Sequence, residues 1–169
     1  DRRLVDSGSA AIWAVVDGNP ELLFGLVDTV KEHSVAGLAR LKKMGLHPIL
    51  LTGDNAGVAA RVAEKVGIAP EDVYASATPE FKVQLVTELQ ELGKTVAMAG
   101  DGVNDAAALA QADIGVAMAT GTDVAMNAAD ITLMRSGIDQ LADSIELSQR
   151  TLHIIKMNLF WAFFYNVIV

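Results

Sequence analysis

The apolar run Thr95-Val96-Ala97-Met98-Ala99 breaks off into Gly100-Asp101-Gly102-Val103-Asn104-Asp105. A run of that length ending on Gly and Asp reads as a buried strand stopping at a tight turn. The pattern recurs along the chain. Pro48-Ile49-Leu50-Leu51 runs into Thr52-Gly53-Asp54-Asn55, and Val73-Tyr74-Ala75, Ile114 to Met118 and Ile131 to Met134 are further short apolar runs. Between them lie segments of helical character: Val35 to Gly45, Ala56 to Gly67, Pro79 to Gly93, and about Asp105 to Gln111. Glycine marks the stops of the first two and proline the start of the third. Strands alternating with helices of this length predict an α/β fold with a mainly parallel sheet covered by helices on both faces. Upstream, Ala10 to Asp17 and Leu22 to Asp28 flank Gly18-Asn19-Pro20-Glu21, a strand–turn–strand pattern.

Composition narrows the function classes. The 169 residues allow one domain with a full core and little more. A net charge of −8 argues against a nucleic-acid groove and is accounted for by solubility. With no cysteine, disulfides and thiolate metal sites are excluded within the chain. Asp1 to Asp6 lacks the apolar core of a signal peptide, and the absence of an initiator Met suggests a piece of something longer.

The segment from Ile138 to Val169 contains neither Pro nor Gly and predicts one long helix. Its first half is amphipathic, while its last 13 residues, Met157 to Val169, carry no charge. A bilayer crossing needs about 20 apolar residues, so the tail reads as the beginning of a membrane helix. Arg150, His153 and Lys156 precede it as basic residues do on a cytoplasmic flank, and Trp161 and Tyr165 suit an interface. The plain alternative is a core helix of a soluble protein.

Three segments can be read as one phosphate site. Thr52-Gly53-Asp54-Asn55 offers a hydroxyl, a permissive backbone and an acid where a strand meets a helix N-terminus, which favours anions. The same residues also simply build turns and caps. Pro79-Glu80-Phe81-Lys82 places a cation in the first turn of a helix, where the dipole prefers an anion. Lys82 is therefore either a phosphate partner or an ordinary surface lysine. Asp101 and Asp105 offer oxygen ligands at a strand end, where open α/β sheets bind ligands and a hard cation such as Mg²⁺ finds carboxylates. Gly100 and Gly102 let the backbone approach, and Asn104 and Asp105 start the next helix or complete the hydrogen bonding.

Taken in order, Thr52-Gly53-Asp54, then Pro79 with Lys82, then Asp101 to Asp105 resembles the haloacid-dehalogenase superfamily, and more closely the phosphorylation domain of P-type ATPases. Asp113, Gly115, Ala117 and Met118 fit the family's next motif, and Gly25 with Asp28 its strand returning from the nucleotide-binding domain. Asn158 to Asn166 is similar to the following membrane helix of the heavy-metal, copper(I)-exporting branch, with Tyr165-Asn166 in the transport pathway. Polar residues within a membrane helix are functional candidates by default, although a bundle-packing role stays open.

The resemblance implies a haloacid-dehalogenase-like Rossmannoid sheet followed by a long helix entering the membrane. It divides the chain into 1–24, the end of a nucleotide-binding domain; 25–149, a partial phosphorylation domain on the cytoplasmic side; and 150–169, the start of a transmembrane helix. It implies ATP and Mg²⁺ as cofactors, with Asp101 and Asp105 on the metal. Thr52, Lys82 and Gly102 face the phosphate, and Gly53, Asp54, Asn104 and Asp105 complete the catalytic set. Copper(I) is the implied cargo. The implied partners are the rest of the pump chain, the bilayer and a metallochaperone. A zinc or cadmium pump, a soluble phosphatase of the superfamily and an inactive phosphate-binding module are the alternatives.

One departure is large. The family's nucleophile sits in Asp-Lys-Thr-Gly-Thr, and the chain has no such run. Thr120-Gly121-Thr122 echoes it, but Met118-Ala119 precede it, so it reads as a loop into a short helix. Asp1 and Asp6 lack the Asp-x-Asp spacing of a soluble phosphatase. The chain alone is expected to be inactive.

Overall fold

The computed structural model describes residues 10–16, 19–26, 30–118, 121–134 and 137–168, with side chains omitted for 10–16, 19–26 and 168. Strands β1 (Ala10–Val16) and β2 (Asn19–Leu26) form an antiparallel hairpin whose register shifts between Ala14 and Val15. Then follow α1 (Glu32–Lys43), β3 (Leu50–Leu51), α2 (Ala56–Val66), a 3₁₀ turn (Pro70–Asp72), β4 (Val73–Tyr74) and α3 (Pro79–Glu91). The remainder is β5 (Ala97–Gly100), a 3₁₀ turn (Val103–Asp105), α4 (Ala106–Gln111), β6 (Ile114–Met118), α5 (Asp123–Ala128), β7 (Ile131–Leu133) and α6 (Ile138–Ile168). The α/β class and the parallel pairing expected from the sequence are both present. Among the described residues, however, the parallel strands form two sheets, β3-β4 and β5-β6-β7. Strands β3 and β5 each lie at an open edge.

Local chemistry explains the boundaries. Asn55 and Thr78 accept from the backbone N–H groups of Val58 and Phe81, capping α2 and α3 three residues before the N–H they satisfy. Pro79 occupies the first position of α3, where its missing N–H costs nothing. Gly67 closes α2 at φ 72°, a left-handed conformation natural to glycine.

The core lies where α1 and α6 cover the larger sheet. Leu41, Val116, Leu133, Leu141 and Ala142 are buried together, with Met44, Ala99 and Ile145 packed around them. Burial of each large side chain contributes about 1.5–3 kcal/mol. At the crossing of α1 and α6, a Cβ on Gly37 would lie 2.6 Å from the Asp139 nitrogen, so only glycine permits that approach. Arg40 then ties the two helices together through Asp143 (2.7 Å) and Glu146 (2.9 Å), which hold its guanidinium pKa above the usual arginine value.

The single long helix expected after Gly137 is present as α6, spanning roughly 46 Å at 1.5 Å per residue. Only its beginning packs on the domain. From Leu147 through Val167 every residue is exposed, with Phe160 stacked on Phe164 and Trp161 edge-to-face against both along its surface. Among the described residues no helix is long and apolar enough to cross a membrane.

Candidate functional site

The Thr52 turn is built from its own atoms. The Thr52 hydroxyl donates to Asp54 Oδ2 (3.0 Å) and accepts from the Asp54 N–H (3.1 Å). Thr52 N–H donates to the Tyr74 carbonyl, which fixes the end of β3 against β4. Gly53, Asp54 and Asn55 are exposed. Two further bonds lead away from the turn: Ala77 N–H donates to the Thr52 carbonyl (2.9 Å) and Ser76 N–H to the Asp54 carbonyl (2.7 Å). Ser76 achieves this at φ 52°, a left-handed conformation that is costly for a non-glycine residue. The turn is thereby stitched to the segment that enters α3.

Helix α3 carries that connection across to the second turn. Glu80, at its start, has its carboxyl held below the usual range by its own backbone N–H and by the Thr78 hydroxyl. Two residues on, in the same first turn, Lys82 is buried, and its Nζ donates to Asp105 Oδ1 at 2.6 Å. Asp105 is buried too, and its Oδ2 accepts from the Gly102 N–H (3.3 Å). A Cβ at Gly100 would lie 2.8 Å from Asp105 Cβ and 2.9 Å from Oδ2, so the strand end must be glycine for this carboxylate to fold against it.

Lys82 is thus no surface lysine. The structure pairs it with Asp105 instead of leaving either residue facing solvent. Each Asp105 oxygen has a partner within the fold, Oδ1 the Lys82 ammonium and Oδ2 the Gly102 N–H. Asp101 and Asn104 are exposed. Asp101 is the carboxylate of this turn that remains open to a cation from solvent. Among the described residues no group of three or more His, Asp or Glu could hold a metal alone.

Other candidates fall elsewhere. Gly25 lies in β2, and Asp1, Asp6, Asp28 and Thr120 are outside the described residues. Asn166 donates from Nδ2 to the Ala162 carbonyl (2.7 Å) one turn back along α6, and Tyr165 is exposed. A groove of about 800 Å³ lies between the end of α1, the small-residue face of α2 and β4, lined by Leu46, His47, Ala60, Ile68 and Val73. It includes none of the candidate site residues. The strand-end site is an open surface defined by charge, as a site for a hydrated anion can be.

Sequence reasoning misses the bonds that stitch the segments together, namely Ser76 and Ala77 to the first turn and Thr122 N–H to the Asp101 carbonyl (3.0 Å). Backbone bonds leave no trace in residue type. Only the Thr122 cap of α5, visible as Thr-Asp before an apolar run, carries any signal.

The described residues thus form an α/β fold with parallel strand pairing, with Thr-Gly-Asp at the end of β3 and Gly-Asp-Gly with a buried Lys–Asp pair at the end of β5. A family model described as haloacid dehalogenase-like hydrolase matches residues 2–113, and a second of the same description matches residues 83–144. The chain belongs to the haloacid dehalogenase-like hydrolase family.

Within that class its similarities are specific. It is 46% identical over 159 residues to the copper-exporting P-type ATPase of Bacillus subtilis (strain 168), covering 94% of this chain and 20% of that protein. It is 48% identical over 161 residues to the probable copper-exporting P-type ATPase V of Mycobacterium tuberculosis (strain ATCC 25618 / H37Rv), covering 95% and 21%. Among solved structures, a zinc-transporting PIB-type ATPase superposes with a TM-score of 0.80 at 34% identity, over 94% of this chain and 26% of that one. The catalytic CPx-ATPase domain CopB-B superposes at 0.62 with 36% identity, over 76% and 51%. The chain spans about a fifth of the length of the curated relatives it matches.

Proposed function

We propose that the chain supplies the phosphate- and cation-binding half of the phosphorylation site of a heavy-metal-exporting P-type ATPase, with copper(I) as cargo. The observation that carries this reading is the linkage of Thr52, Lys82 and the Asp101 turn through α3, at the ends of two strands that both lie on open sheet edges. A strand bearing the nucleophilic aspartate, contributed by the rest of the pump chain, completes the sheet between those edges. Copper is favoured because relatives that match nearly the whole chain at 46–48% identity are named as copper exporters.

In this reading Asp101 holds Mg²⁺, which when bound neutralises charge on the phosphate oxygens of ATP. Thr52 redirects its hydroxyl proton from Asp54 Oδ2 to the phosphate, with Gly53 and Asp54 shaping the turn around it. Lys82 supplies positive charge, and Asp105 holds its ammonium at a fixed point beside the Gly102 backbone. Asn104, exposed in the middle of the 3₁₀ turn, orients the phosphate from the other side. Phosphoryl transfer depends chiefly on such positioning and charge stabilisation.

Residues 25–149 then form the cytoplasmic phosphorylation domain and 1–24 the end of the nucleotide-binding domain. Residues 150–169 lead into the bilayer of a multi-pass membrane protein. The exposed apolar length of α6 supports that assignment, since Leu159, Phe160, Trp161 and Phe163 are all more than half exposed. Tyr165 and Asn166 line the transport pathway, and a metallochaperone delivers the metal to the intact pump. The test is a chimera in which this chain replaces the matching segment of the Bacillus subtilis copper exporter. Copper-stimulated ATP hydrolysis that disappears in Asp101→Ala is the expected result. Stimulation by zinc but not copper overturns the cargo assignment, and activity that survives Asp101→Ala overturns the site.

A further inference from the structure

The Asp101–Gly102 peptide is gripped at both poles. Its carbonyl oxygen accepts from the Thr122 N–H at 3.0 Å, and its N–H donates to Asp105 Oδ2 at 3.3 Å. A peptide unit is planar, so fixing its oxygen and its nitrogen fixes the whole plate. The Asp101 Cα is then set, and the carboxylate keeps only its side-chain rotations. The Asp105 jaw is anchored through Lys82 in the domain interior.

The other jaw is Gly121-Thr122, which leads from β6 into α5. Gly121 N–H donates to the Met118 carbonyl (2.8 Å), and the Thr122 hydroxyl caps α5 by accepting from the Ala125 N–H (3.3 Å). This jaw is therefore itself secured on both sides. Gly121 does not stand in the left-handed region, so conformation is not what demands glycine here. Space is. A Cβ on Gly121 would lie 2.6 Å from the Asp101 carbonyl oxygen, 2.9 Å from the Met118 oxygen and 3.0 Å from Asp101 Cα. All three are backbone atoms, which cannot swing aside as a flexible side chain can.

We infer that Gly121 and Thr122 are positioning residues for the cation site: their backbone presses against and hydrogen-bonds the Asp101–Gly102 peptide and thereby sets where the Asp101 carboxylate stands. The inference rests on the reading of Asp101 as the carboxylate that takes the divalent cation. Any side chain at 121 pushes the Asp101 backbone away, and loss of the Thr122 N–H frees the peptide's oxygen pole.

The experiment uses the 169-residue chain, with Mn²⁺ as a paramagnetic stand-in for Mg²⁺ and amide NMR signals as the readout. In the native chain Mn²⁺ broadens the amides around Asp101, and Asp101→Asn abolishes the effect. Gly121→Ala is expected to weaken Mn²⁺ binding about tenfold, the scale on which outer-shell partners tune metal affinity. It is also expected to speed hydrogen exchange at the Thr122 amide while leaving Asp130, whose N–H is bonded to the Gly115 carbonyl, unchanged. Thr122→Pro, compatible with the native φ of −78°, removes the donor without adding a Cβ at 121 and gives the same loss. It also removes the α5 cap, so Thr122→Ala, which removes the cap and keeps the N–H, is the control and is expected to bind Mn²⁺ like the native chain. If Asp101→Asn abolishes binding but Gly121→Ala and Thr122→Pro both bind Mn²⁺ like the native chain, the positioning role is overturned. If Asp101→Asn itself binds normally, the cation reading of Asp101 fails. Thr122 amide exchange in Gly121→Ala then decides by itself whether the segment holds the turn.

Discussion

Two turns of this molecule share one sequence idiom, an apolar strand that stops on Gly-Asp and opens a helix, and they are built in opposite ways. The turn at Thr52-Gly53-Asp54-Asn55 makes its side-chain bonds within a few residues and stands in solvent. The turn at Gly100 to Asp105 holds its shape through partners far away in sequence, Lys82 and Thr122, and buries its second carboxylate. The first has local side-chain bonds, although its backbone is also held by Tyr74, Ser76 and Ala77. The second exists only once α3, α5 and β6 are in place. A Gly-Asp turn is therefore not one structural object, and the difference is measurable.

The sharpest break comes from Lys82→Ala. It leaves the Asp105 carboxylate buried without its cation, a change that costs about 3–5 kcal/mol. Urea unfolding should show that loss as a large drop in midpoint. Removing the charge from both partners at nearly constant volume, Lys82→Met with Asp105→Asn, should recover most of it, because an uncompensated buried charge is worse than none. A Lys82→Ala chain as stable as the native one would mean that the second turn is as self-sufficient as the first.

A matched pair of glycine substitutions sharpens the same contrast. Gly100→Ala drives a Cβ into Asp105, 2.8 Å from its Cβ, and should destabilise by about 1–3 kcal/mol as overpacking does. Gly53→Ala meets only the Ala77 carbonyl at 3.8 Å and stands outside the left-handed region. It should be neutral or slightly stabilising, by less than about 1 kcal/mol. Equal effects at the two positions would erase the distinction between the turns.

The same contrast explains what is readable without coordinates. The first turn is legible because its interactions are local: Asn55 before a helix is a cap, and Asn55→Ala should cost about 1 kcal/mol by thermal unfolding. Strand β6 is legible at Ile114–Met118 because an uninterrupted apolar run bounded by Asp113 has one reading. Strands β3, β4 and β5 are shorter than their apolar runs, since pairing depends on which neighbours are present and not on hydropathy. The 3₁₀ turn at Val103–Asp105 is hard to separate by sequence from the helix that follows, because what tightens it is the Asp105 side chain folding back onto Gly102 N–H. At the site, residue type marks Lys82 as anomalous in a helix's first turn but does not say what it meets. A buried ion pair 23 positions apart in sequence leaves no local pattern.

Acid should separate the two turns most gently. Asp113 accepts from the Val96 N–H at 2.8 Å, at the foot of β5, the strand that leads into the second turn. That backbone bond, with help from the Gln90 side chain, holds the Asp113 carboxyl below the usual carboxylate range. A carboxylate whose native pKa lies below its unfolded value stabilises the fold above the unfolded value, about pH 4. The contribution fades as pH falls through that value toward the lower native one. The protection of the Val96 amide relative to its intrinsic exchange rate should therefore fall below about pH 4, while that of the Thr52 amide, bonded to the Tyr74 carbonyl, follows only the global stability. Asp113→Asn should remove the pH dependence at Val96. Because Asp113 is exposed, the effect on the unfolding midpoint should be the smallest of these changes. If Val96 and Thr52 loosen together in acid and do so equally in Asp113→Asn, the strand beneath the second turn has no separate tether. The dependence of that turn on distant partners would then begin above β5, at Lys82 and Thr122.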